Sequence, residues 1–235
     1  MEGRPHSLTQ EVAPVTLGHE FCGRIIKASV KSELKVGQAV MVDPRLYCHS
    51  CSRCKASNTH ACHSWGFLGI SGRGGGLADK IAVPAAMCYV LPDNVDLSVA
   101  ALIEPLAVAA RAVKNSGVKD FSEKVVLILG GGPIGLAVNV VLRTKGAKKV
   151  YFSEPTEKRR RLNKEVAEGV FDPMREKVGE KSRELTDGEG VDVVFDCAGV
   201  ERAMKDGFDA LKFGGTYLNV AGWVTPVSPP SLCMF

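Results

Sequence analysis

The spacing of apolar and polar positions changes character near Glu104-Pro105. Before this point, short runs of β-branched residues are broken by glycine, proline and aspartate, and this pattern predicts short strands. We place these strands at residues 23–30, 39–42, 77–83 and 87–91. The first part of the chain is therefore predicted to form a β-rich domain.

Beyond that point, apolar runs of strand length alternate with stretches of helical composition, starting with an alanine-rich helix at residues 106–113. The runs predict strands at residues 125–129, 150–153, 170–171, 191–195 and 216–220, and the stretches between them predict helices at 133–144, 157–168, 175–185 and 201–211. Strands that alternate with helices in this way are typical of βαβ units in a parallel sheet. The predicted fold class is α/β, with a doubly wound domain after the β-rich one.

A glycine-rich turn follows the strand at residues 125–129 directly and opens the next helix. It reads Gly130-Gly131-Gly132-Pro133-Ile134-Gly135 and fits the pattern G-x-G-x-x-G, which becomes specific in this strand-turn-helix context. Gly130 permits the tight turn, Gly132 lets the backbone approach a pyrophosphate, and Gly135 lets helix and strand pack closely. Pro133 suits the first helical turn, where free N–H groups attract phosphate. The turn is predicted to bind a dinucleotide.

Glu154 ends the strand that follows this turn. At this place an acidic side chain accepts hydrogen bonds from the adenosine ribose and repels a 2′-phosphate, which favours NAD over NADP. Arg159 and its neighbours argue for the opposite, because an arginine nearby can hold a 2′-phosphate; alternatively, they form an exposed helix face. The turns at residues 196–199 and 221–223 close later strands and are candidates to line the nicotinamide side. In the first of them, Cys197 is interpreted as a small apolar filler rather than a nucleophile.

Four of the eight cysteines lie within fifteen residues, at Cys48, Cys51, Cys54 and Cys62. Four thiolates at this spacing suit a closed tetrahedral zinc site, which is structural because no position is left for substrate. His60 and His63 lie beside the loop, but four thiolates already satisfy the ion, so we expect these histidines at the surface. A zinc-ribbon module for nucleic acid is an alternative, although the chain has no second matching knuckle.

Composition narrows the class of protein. Hydrophobic residues make up 45% and charged residues 24% of the 235 residues, as in an ordinary globular protein. The net charge of +4 is dispersed, and its one dense basic run, at residues 158–161, is weak evidence for nucleic acid. No stretch approaches the about 18 to 20 apolar residues of a membrane span, and the first residues do not resemble a signal peptide. We therefore expect a cytoplasmic protein without a membrane or nucleic-acid partner.

Taken together, these motifs resemble those of the zinc-containing medium-chain alcohol dehydrogenases, particularly the 2,3-butanediol and sorbitol dehydrogenase branch. The resemblance rests on residues 16–21 (Thr-Leu-Gly-His-Glu-Phe), the four-cysteine loop, residues 101–109 (Ala-Leu-Ile-Glu-Pro-Leu-Ala-Val-Ala) and the glycine turn with Ser153-Glu154-Pro155. It implies a GroES-like catalytic domain at residues 1–105, with its structural zinc loop at 43–66, and a Rossmann NAD-binding domain at 106–235. It also implies a homo-oligomer for the full-length protein.

The resemblance further implies a catalytic zinc held by His19 together with Glu20 or Glu104, plus a cysteine. Adjacent strand residues point to opposite faces, so His19 and Glu20 reach one ion only if the backbone is irregular. Glu104 is the preferred carboxylate, with Glu20 close behind. The zinc would polarise an alcohol so that hydride passes to the nicotinamide.

The sequence departs from the family pattern at both ends. The family's thiolate ligand lies upstream of the Gly-His-Glu motif, and no cysteine precedes His19 in this sequence. Cys22 is the nearest thiol and a poor substitute, because the family has a small residue there. Residues 231–235 do not resemble the family's continuation either, so we expect a chain cut short at both ends, with Met1 an internal methionine or a mispredicted start.

Two functional hypotheses follow from these observations. The first is an NAD-dependent dehydrogenase of a secondary alcohol, diol or polyol. The second is a non-catalytic zinc- and nucleotide-binding fragment of such an enzyme, motivated by the missing cysteine. The first predicts two zinc ions and turnover, and the second predicts about one zinc ion and cofactor binding alone.

Overall fold

The computed structural model describes residues 5–223, so the expectations for Met1 and for residues 231–235 lie outside the described residues. The chain divides after Glu104 into two compact units.

The first unit is built from short antiparallel strands. Its strands are β1 (Cys22–Arg24), β2 (Ala39–Val42), β3 (Arg45–Leu46), β4 (Gly66–Phe67) and β5 (Cys88–Val90), and its helices are α1 (Ser52–Lys55) and α2 (Leu97–Ala100), with 3-10 turns at Thr59–Ala61 and Ala85–Met87. One sheet has the order β1-β2-β5, and β3 pairs with β4. Its small core contains Val42, Leu46 and Leu68, with Phe21 and Met87 packed against them.

The predicted strand at residues 77–83 is wrong, because the described structure has no strand there. Leu77 donates its N–H to Leu17 O at 2.9 Å, but no ladder continues from that contact. A groove lined by residues 23–29 and 78–83 separates this segment from β1, so its apolar alternation has no strand to pair with. The strand predicted at residues 23–30 likewise ends at Arg24. Alternation of apolar and polar residues predicts an extended backbone, but that backbone becomes a strand only where it forms hydrogen bonds with a neighbouring strand.

The second unit confirms the predicted parallel sheet. Helix α3 (Ile103–Asn115) leads into it, and its other elements are β6 (Val125–Leu129), α4 (Pro133–Thr144), β7 (Lys149–Ser153), α5 (Glu157–Asn163), β8 (Gly169–Phe171), α6 (Val178–Glu184), β9 (Val191–Asp196), α7 (Glu201–Ala210) and β10 (Leu211–Asn219). The strand order is β10-β9-β6-β7-β8, and all four pairings are parallel. The order reverses beside β6, so ligands are expected at the carboxyl end of that strand.

Burial explains why the central strands are continuous apolar runs rather than alternating ones. Residues 126–129 of β6 and residues 193–195 of β9 are fully buried, because helices cover both faces of the sheet. Phe152 and Phe195 are among the largest buried side chains of this core. The predicted helix at residues 157–168 ends already at Asn163. Asn139 and Arg143 of α4 donate to Val166 O, and Glu168 N donates to Val150 O. These contacts hold residues 166–168 in a non-helical conformation beside α4 and β7.

Among residues 5–223, no helix combines the length and the apolar character that crossing a membrane requires.

The two phenylalanines Phe152 and Phe213 offer a matched test of this core. Phe152 is fully buried, whereas Phe213 in β10 is fully exposed. We expect Phe152→Ala to lower the free energy of unfolding by about 3–5 kcal/mol, because it leaves a cavity. Phe213→Ala should change it by less than about 0.5 kcal/mol. Urea unfolding followed by circular dichroism measures both, and an equal loss in the two variants would contradict the placement of the core.

Candidate metal and nucleotide sites

His19, Glu20 and Glu104 lie together in the first unit. One ligand atom from each lies within 4.8 Å of the other two. His19 Nε2 is 4.0 Å from Glu20 Oε1, and both side chains are partly open to solvent. One imidazole nitrogen and two carboxylate oxygens are donors that zinc accepts, and three protein ligands leave a position free for water or substrate. The group therefore fits an open, catalytic type of metal site.

The backbone around Gly18 explains how neighbouring residues reach one point. His19 and Glu20 are in a bend rather than a strand, so the alternation of faces does not apply. Gly18 has a φ of +101°, a left-handed value that strongly favours glycine. Its carbonyl accepts the N–H of Gly76 at 2.8 Å. The irregular backbone that the shared site requires is thus present.

Sequence reasoning assigned no role to three glycines, at residues 69, 75 and 76, that lie against the bend. A Cβ on Gly69 or Gly75 would collide with the backbone of Leu17 and Gly18, and one on Gly76 would collide with the ring of Phe21. These glycines allow two backbone segments to touch behind the bend that carries His19. The run Gly74-Gly75-Gly76 was the available signal, but its partner segment is more than fifty residues away in the sequence.

Glu104 comes from another element, the first turn of α3. A carboxylate is favoured there, because the free N–H groups at a helix N-terminus attract negative charge. Burial raises the pKa of Glu104, and the nearby His19 partly offsets this effect. A cation bound between these side chains would favour the charged carboxylate.

Cys22 does not belong to this group. Its thiol donates to Leu97 O at 3.2 Å, and it is absent from the ligand cluster that His19, Glu20 and Glu104 form. This geometry agrees with the expectation that Cys22 is a poor substitute for the family's cysteine ligand.

Aromatic rings border the His19 group on one side. The Phe67 ring meets the His19 ring edge-on at a centroid distance of 5.8 Å, and the Trp65 ring meets Phe67 at 5.5 Å. Trp65 is 57% exposed, so one of its faces is open to a ligand. Such contacts orient the imidazole and provide an apolar wall beside it.

The four cysteines of the loop at residues 48–62 form a second cluster. Their sulfur atoms all lie within 4.8 Å of one another. The separations are 3.5 Å from Cys62 to Cys48 and 4.0 Å both from Cys48 to Cys54 and from Cys51 to Cys62. A tetrahedral zinc with Zn–S bonds of about 2.3 Å requires sulfur separations of about 3.8 Å. The cluster therefore fits a closed four-thiolate zinc site.

Hydrogen bonds prepare these sulfurs for a cation. The N–H groups of Cys48 and Ser64 point at the sulfur of Cys62, at 3.3 and 3.4 Å. Hydrogen bonds from Ser50, together with the Cys51 N–H, lower the pKa of Cys48 to about 5. Desolvation, followed by the neighbouring thiols, raises the pKa of Cys54 to about 12. All four thiols can therefore be deprotonated together only if a cation lies among them. Zinc is the ion that this set of donors prefers.

His60 and His63 are exposed and lie outside the four-thiol group. The structure therefore places both histidines where the sequence analysis expected them.

The glycine turn lies in the second unit, at the carboxyl end of β6. Gly130 has a φ of +89°, and a Cβ there would lie 3.2 Å from the backbone of Cys197 and Ala198. A Cβ on Gly135 would collide with the carbonyl of Gly130. A Cβ on Gly132 would meet only the guanidinium of Arg159, at 3.5 Å. Gly132 is thus open on the side where a pyrophosphate would approach, and it is the N-cap of α4, with Pro133 at the first position.

Glu154 is tied to this turn rather than exposed. The side chain is 2% exposed, and its two oxygens accept the N–H groups of Gly131 and Thr156, at 2.8 and 2.7 Å. Arg159 Nη1 is 4.0 Å from the oxygen that Gly131 occupies. Asn163 donates to Gly131 O at 3.3 Å from the other side. In this structure Glu154 therefore shapes the turn, and Arg159 is the more accessible of the two charges.

Asp196, in the turn that the sequence analysis proposed for the nicotinamide side, is a buried carboxylate. One oxygen accepts the N–H groups of Ala198 and Gly199, at 2.9 and 3.0 Å, and the other accepts the hydroxyl of Tyr217 at 2.7 Å. These bonds hold the turn after β9 against Gly130. Burial raises the pKa of Cys197 to about 12, which suits a filler rather than a nucleophile.

Comparison with known proteins shows which domain families the two units match. Residues 2–93 match the alcohol dehydrogenase GroES-like domain, and residues 133–234 match the family described as zinc-binding dehydrogenase. An (R,R)-butanediol dehydrogenase of Neisseria gonorrhoeae is 38% identical over 96% of this chain and 64% of its own length. A probable D-xylulose reductase A of Aspergillus clavatus is 35% identical over 87% of this chain and 58% of its own length. The chain spans less than two thirds of the length of these relatives.

Solved structures agree with this result. The 2R,3R-butanediol dehydrogenase of Bacillus subtilis has a TM-score of 0.84 at 33% identity, covering 96% of this chain and 63% of its own. A putative zinc-binding dehydrogenase of Sinorhizobium meliloti, bound to NADP, has a TM-score of 0.83 at 35% identity, covering 94% of this chain and 63% of its own. The fold expected from the resemblance, a GroES-like unit followed by a Rossmann-like unit, is confirmed. Residues 2–93 thus match the alcohol dehydrogenase GroES-like domain and residues 133–234 the zinc-binding dehydrogenase domain, the two domain families found together in these relatives.

Proposed function

We propose that this protein is a zinc-dependent oxidoreductase that transfers hydride between a secondary alcohol, diol or polyol and NAD. The observation that carries the proposal is the grouping of His19, Glu20 and Glu104 within 4.8 Å, with one nitrogen and two oxygen donors. The names of the relatives, butanediol dehydrogenase and D-xylulose reductase, support a diol or polyol as substrate.

Each segment has an assigned part in this proposal. Residues 1–105 form the GroES-like catalytic domain, with a structural zinc loop at 43–66, and residues 106–235 form the NAD-binding domain. Cys48, Cys51, Cys54 and Cys62 hold the structural zinc, because four thiolates leave no position for substrate. The protein would act on a small molecule in the cytoplasm, where cysteines stay reduced and can serve as zinc ligands.

His19, Glu20 and Glu104 would hold the catalytic zinc. A zinc ion held there would supply Lewis-acid chemistry that lowers the pKa of an alcohol hydroxyl, and bound NAD would supply the hydride acceptor. The Phe67 ring fixes the plane of the His19 imidazole, so that its nitrogen faces the two carboxylates. Trp65 and Phe67 would exclude water from one side of the substrate. The hydroxyl proton leaves to solvent and the C–H hydrogen leaves as hydride, which balances the oxidation of an alcohol to a ketone.

The glycine turn would hold the pyrophosphate of NAD at the N-terminus of α4, through Gly130, Gly132 and Gly135 with Pro133 and Ile134. Glu154 favours NAD over NADP by its negative charge. The Sinorhizobium relative is bound to NADP, and Arg159 is the residue of this chain that would accept a 2′-phosphate. NAD remains the proposed cofactor, because the Glu154 carboxylate lies 4.0 Å from the Arg159 guanidinium and its negative charge offsets the attraction of that arginine for a 2′-phosphate.

The proposed catalytic role of His19 is tested by His19→Ala. We expect zinc in the purified protein to fall from about two ions to about one per chain, because only the four-thiolate site remains complete. Oxidation of butane-2,3-diol with NAD should fall by about a thousandfold or more, since zinc supplies several kcal/mol of stabilisation. Elemental analysis and NADH absorbance measure the two effects.

His60→Ala is the control, because His60 is exposed and outside both ligand groups. It should keep both the zinc content and the activity. If the unsubstituted protein binds about one zinc and shows no turnover with NAD or NADP, the proposed activity fails and the protein is a binding fragment.

The nucleotide site is tested by Gly132→Ala. The backbone at Gly132 has a φ of −81°, which alanine adopts without strain, so the fold should survive. The added methyl group lies where the pyrophosphate would approach, and we expect the Kd for NAD to rise by about tenfold or more. Gly23→Ala, whose Cβ would meet nothing within 4 Å, is the matched control and should leave the Kd unchanged. Titration calorimetry decides between these outcomes, and an unchanged Kd in Gly132→Ala would contradict the assignment.

A further inference from the structure

Asp196 ends β9, is fully buried, and connects the turns that follow β9 and β10. Its side-chain Oδ1 accepts the N–H groups of Ala198 and Gly199, at 2.9 and 3.0 Å. Its backbone carbonyl accepts the N–H groups of Val220 and Ala221, at 2.8 and 2.9 Å. A buried carboxylate is stable only where hydrogen bonds replace the water it has lost. One residue therefore fixes both turns.

The hydroxyl of Tyr217 completes this network from β10. It donates to Asp196 Oδ2 at 2.7 Å. The Tyr217 ring stacks on Phe208 of α7 at a centroid distance of 4.5 Å, and a Cβ on Gly207 would lie 2.9 Å from it. Burial, followed by the hydrogen bond to Asp196, raises the pKa of Tyr217, so its hydroxyl stays protonated and remains a donor. Tyr217 thus holds the Asp196 carboxylate in one orientation.

The turn at residues 196–199 lies beside the glycine turn. Cys197 N donates to Leu129 O at 2.9 Å, which extends the pairing of β9 with β6 by one residue. A Cβ on Gly130 would lie 3.2 Å from the backbone of Cys197 and Ala198. The turn that Asp196 fixes is therefore next to the turn that would hold a pyrophosphate.

The strand order indicates which half of a dinucleotide meets this turn. Strand β6 lies between β7 and β9, and the pyrophosphate would lie at the glycine turn after β6. Glu154 follows β7, so the adenosine half belongs on the β7 side. The nicotinamide half then extends to the other side, over the turns after β9 and β10.

We propose that Asp196 and Tyr217 are positioning residues for the nicotinamide half of the cofactor, which they hold in place by fixing the turn at residues 196–199. This proposal rests on the proposed function, because it requires a nicotinamide dinucleotide at the glycine turn. Asp196 is fully buried and the Tyr217 hydroxyl is directed at it, so both act through the backbone of the turn.

The glycine turn has supports of its own, so the two halves of the nucleotide site can be distinguished by experiment. Gly130 N donates to Ser153 O, and Gly131 N donates to Glu154 Oε2, both at 2.8 Å. Neither bond involves β9 or β10. ADP-ribose contains the adenosine and the pyrophosphate of the cofactor but lacks the nicotinamide. Loosening the turn after β9 should therefore weaken the binding of NADH more than that of ADP-ribose.

The principal variant is Tyr217→Phe, which removes the hydroxyl donor and keeps the ring that stacks on Phe208. In the zinc-loaded full chain, we expect the Kd for NADH to rise by about tenfold, the loss expected for one hydrogen bond to a charged group. The Kd for ADP-ribose should stay within about twofold of the unsubstituted value. Titration calorimetry measures both.

Tyr151→Phe is the matched control. The Tyr151 ring stacks on Phe171 with the planes 3° apart, the same angle as between Tyr217 and Phe208, but its hydroxyl is not bonded to a carboxylate among residues 5–223. This variant should change neither Kd.

Variants of Asp196 give a second comparison. Asp196→Asn keeps an oxygen for the N–H groups of Ala198 and Gly199, and its amide can donate to the Tyr217 hydroxyl. Asp196→Ala removes all of these bonds and should raise the Kd for NADH more than Asp196→Asn does. If Asp196→Ala does not fold, the comparison of Tyr217→Phe with Tyr151→Phe still decides.

Other results would overturn the assignment. If Tyr217→Phe raises both Kd values equally or changes neither, the network has only a structural part. If the unsubstituted protein binds NADH no more tightly than ADP-ribose, the nicotinamide half is not held, and the positioning role fails while the nucleotide site stands. If the unsubstituted protein binds neither ligand, the proposed function fails as well.

Discussion

The backbone of residues 75–77 lies against that of Leu17 and Gly18, and the candidate metal site depends on this contact. Two hydrogen bonds join the segments, from Gly76 N to Gly18 O and from Leu77 N to Leu17 O, at 2.8 and 2.9 Å. The approach is close enough that side chains on the three glycines at 69, 75 and 76 would collide with their neighbours. The resulting bend lets His19 and Glu20 share one side with Glu104, which a regular strand would prevent.

Two kinds of donor set follow from local backbone structure. In the cysteine loop, tight turns bring four sulfur atoms together, and three of the sulfur pairs are separated by 3.5 to 4.0 Å. Backbone N–H groups point at these sulfurs, and the arrangement suits a closed zinc site. At His19, one nitrogen and two oxygens leave room for a substrate, and the Phe67 ring lies beside the imidazole. Strand β4 links the two regions, since Phe67 contacts His19 and Trp65 follows closely after Cys62. The proposed division into structural and catalytic metal thus has a basis in the fold.

Much of the second unit could be predicted from the sequence, because its strands are apolar runs and its glycine turn has a local signature. Strand β6 and helix α4 begin and end where the pattern places them. The first unit was harder to predict, because pairing decides its strands and the segment at residues 77–83 has no partner strand. The ligand grouping at His19 depends on glycines more than fifty residues away, and the buried bonds of Glu154 and Asp196 depend on tertiary contacts. The glycine run at residues 74–76 signals one side of the contact at His19, but nothing in the spacing along the chain identifies the partner segment.

The most direct test of this account changes Gly18 and measures the zinc affinity of the His19 group by competition with a chelator. Gly18→Ala places a methyl group 2.9 Å from Leu77 N at a φ of +101°, so the bend must shift. Gly37→Ala introduces the same backbone strain at a φ of +91°, where no atom lies within 4 Å of the new methyl group. The account predicts that Gly18→Ala weakens the more weakly held zinc by about tenfold or more, while Gly37→Ala does not. Equal zinc affinity in the two variants would contradict it.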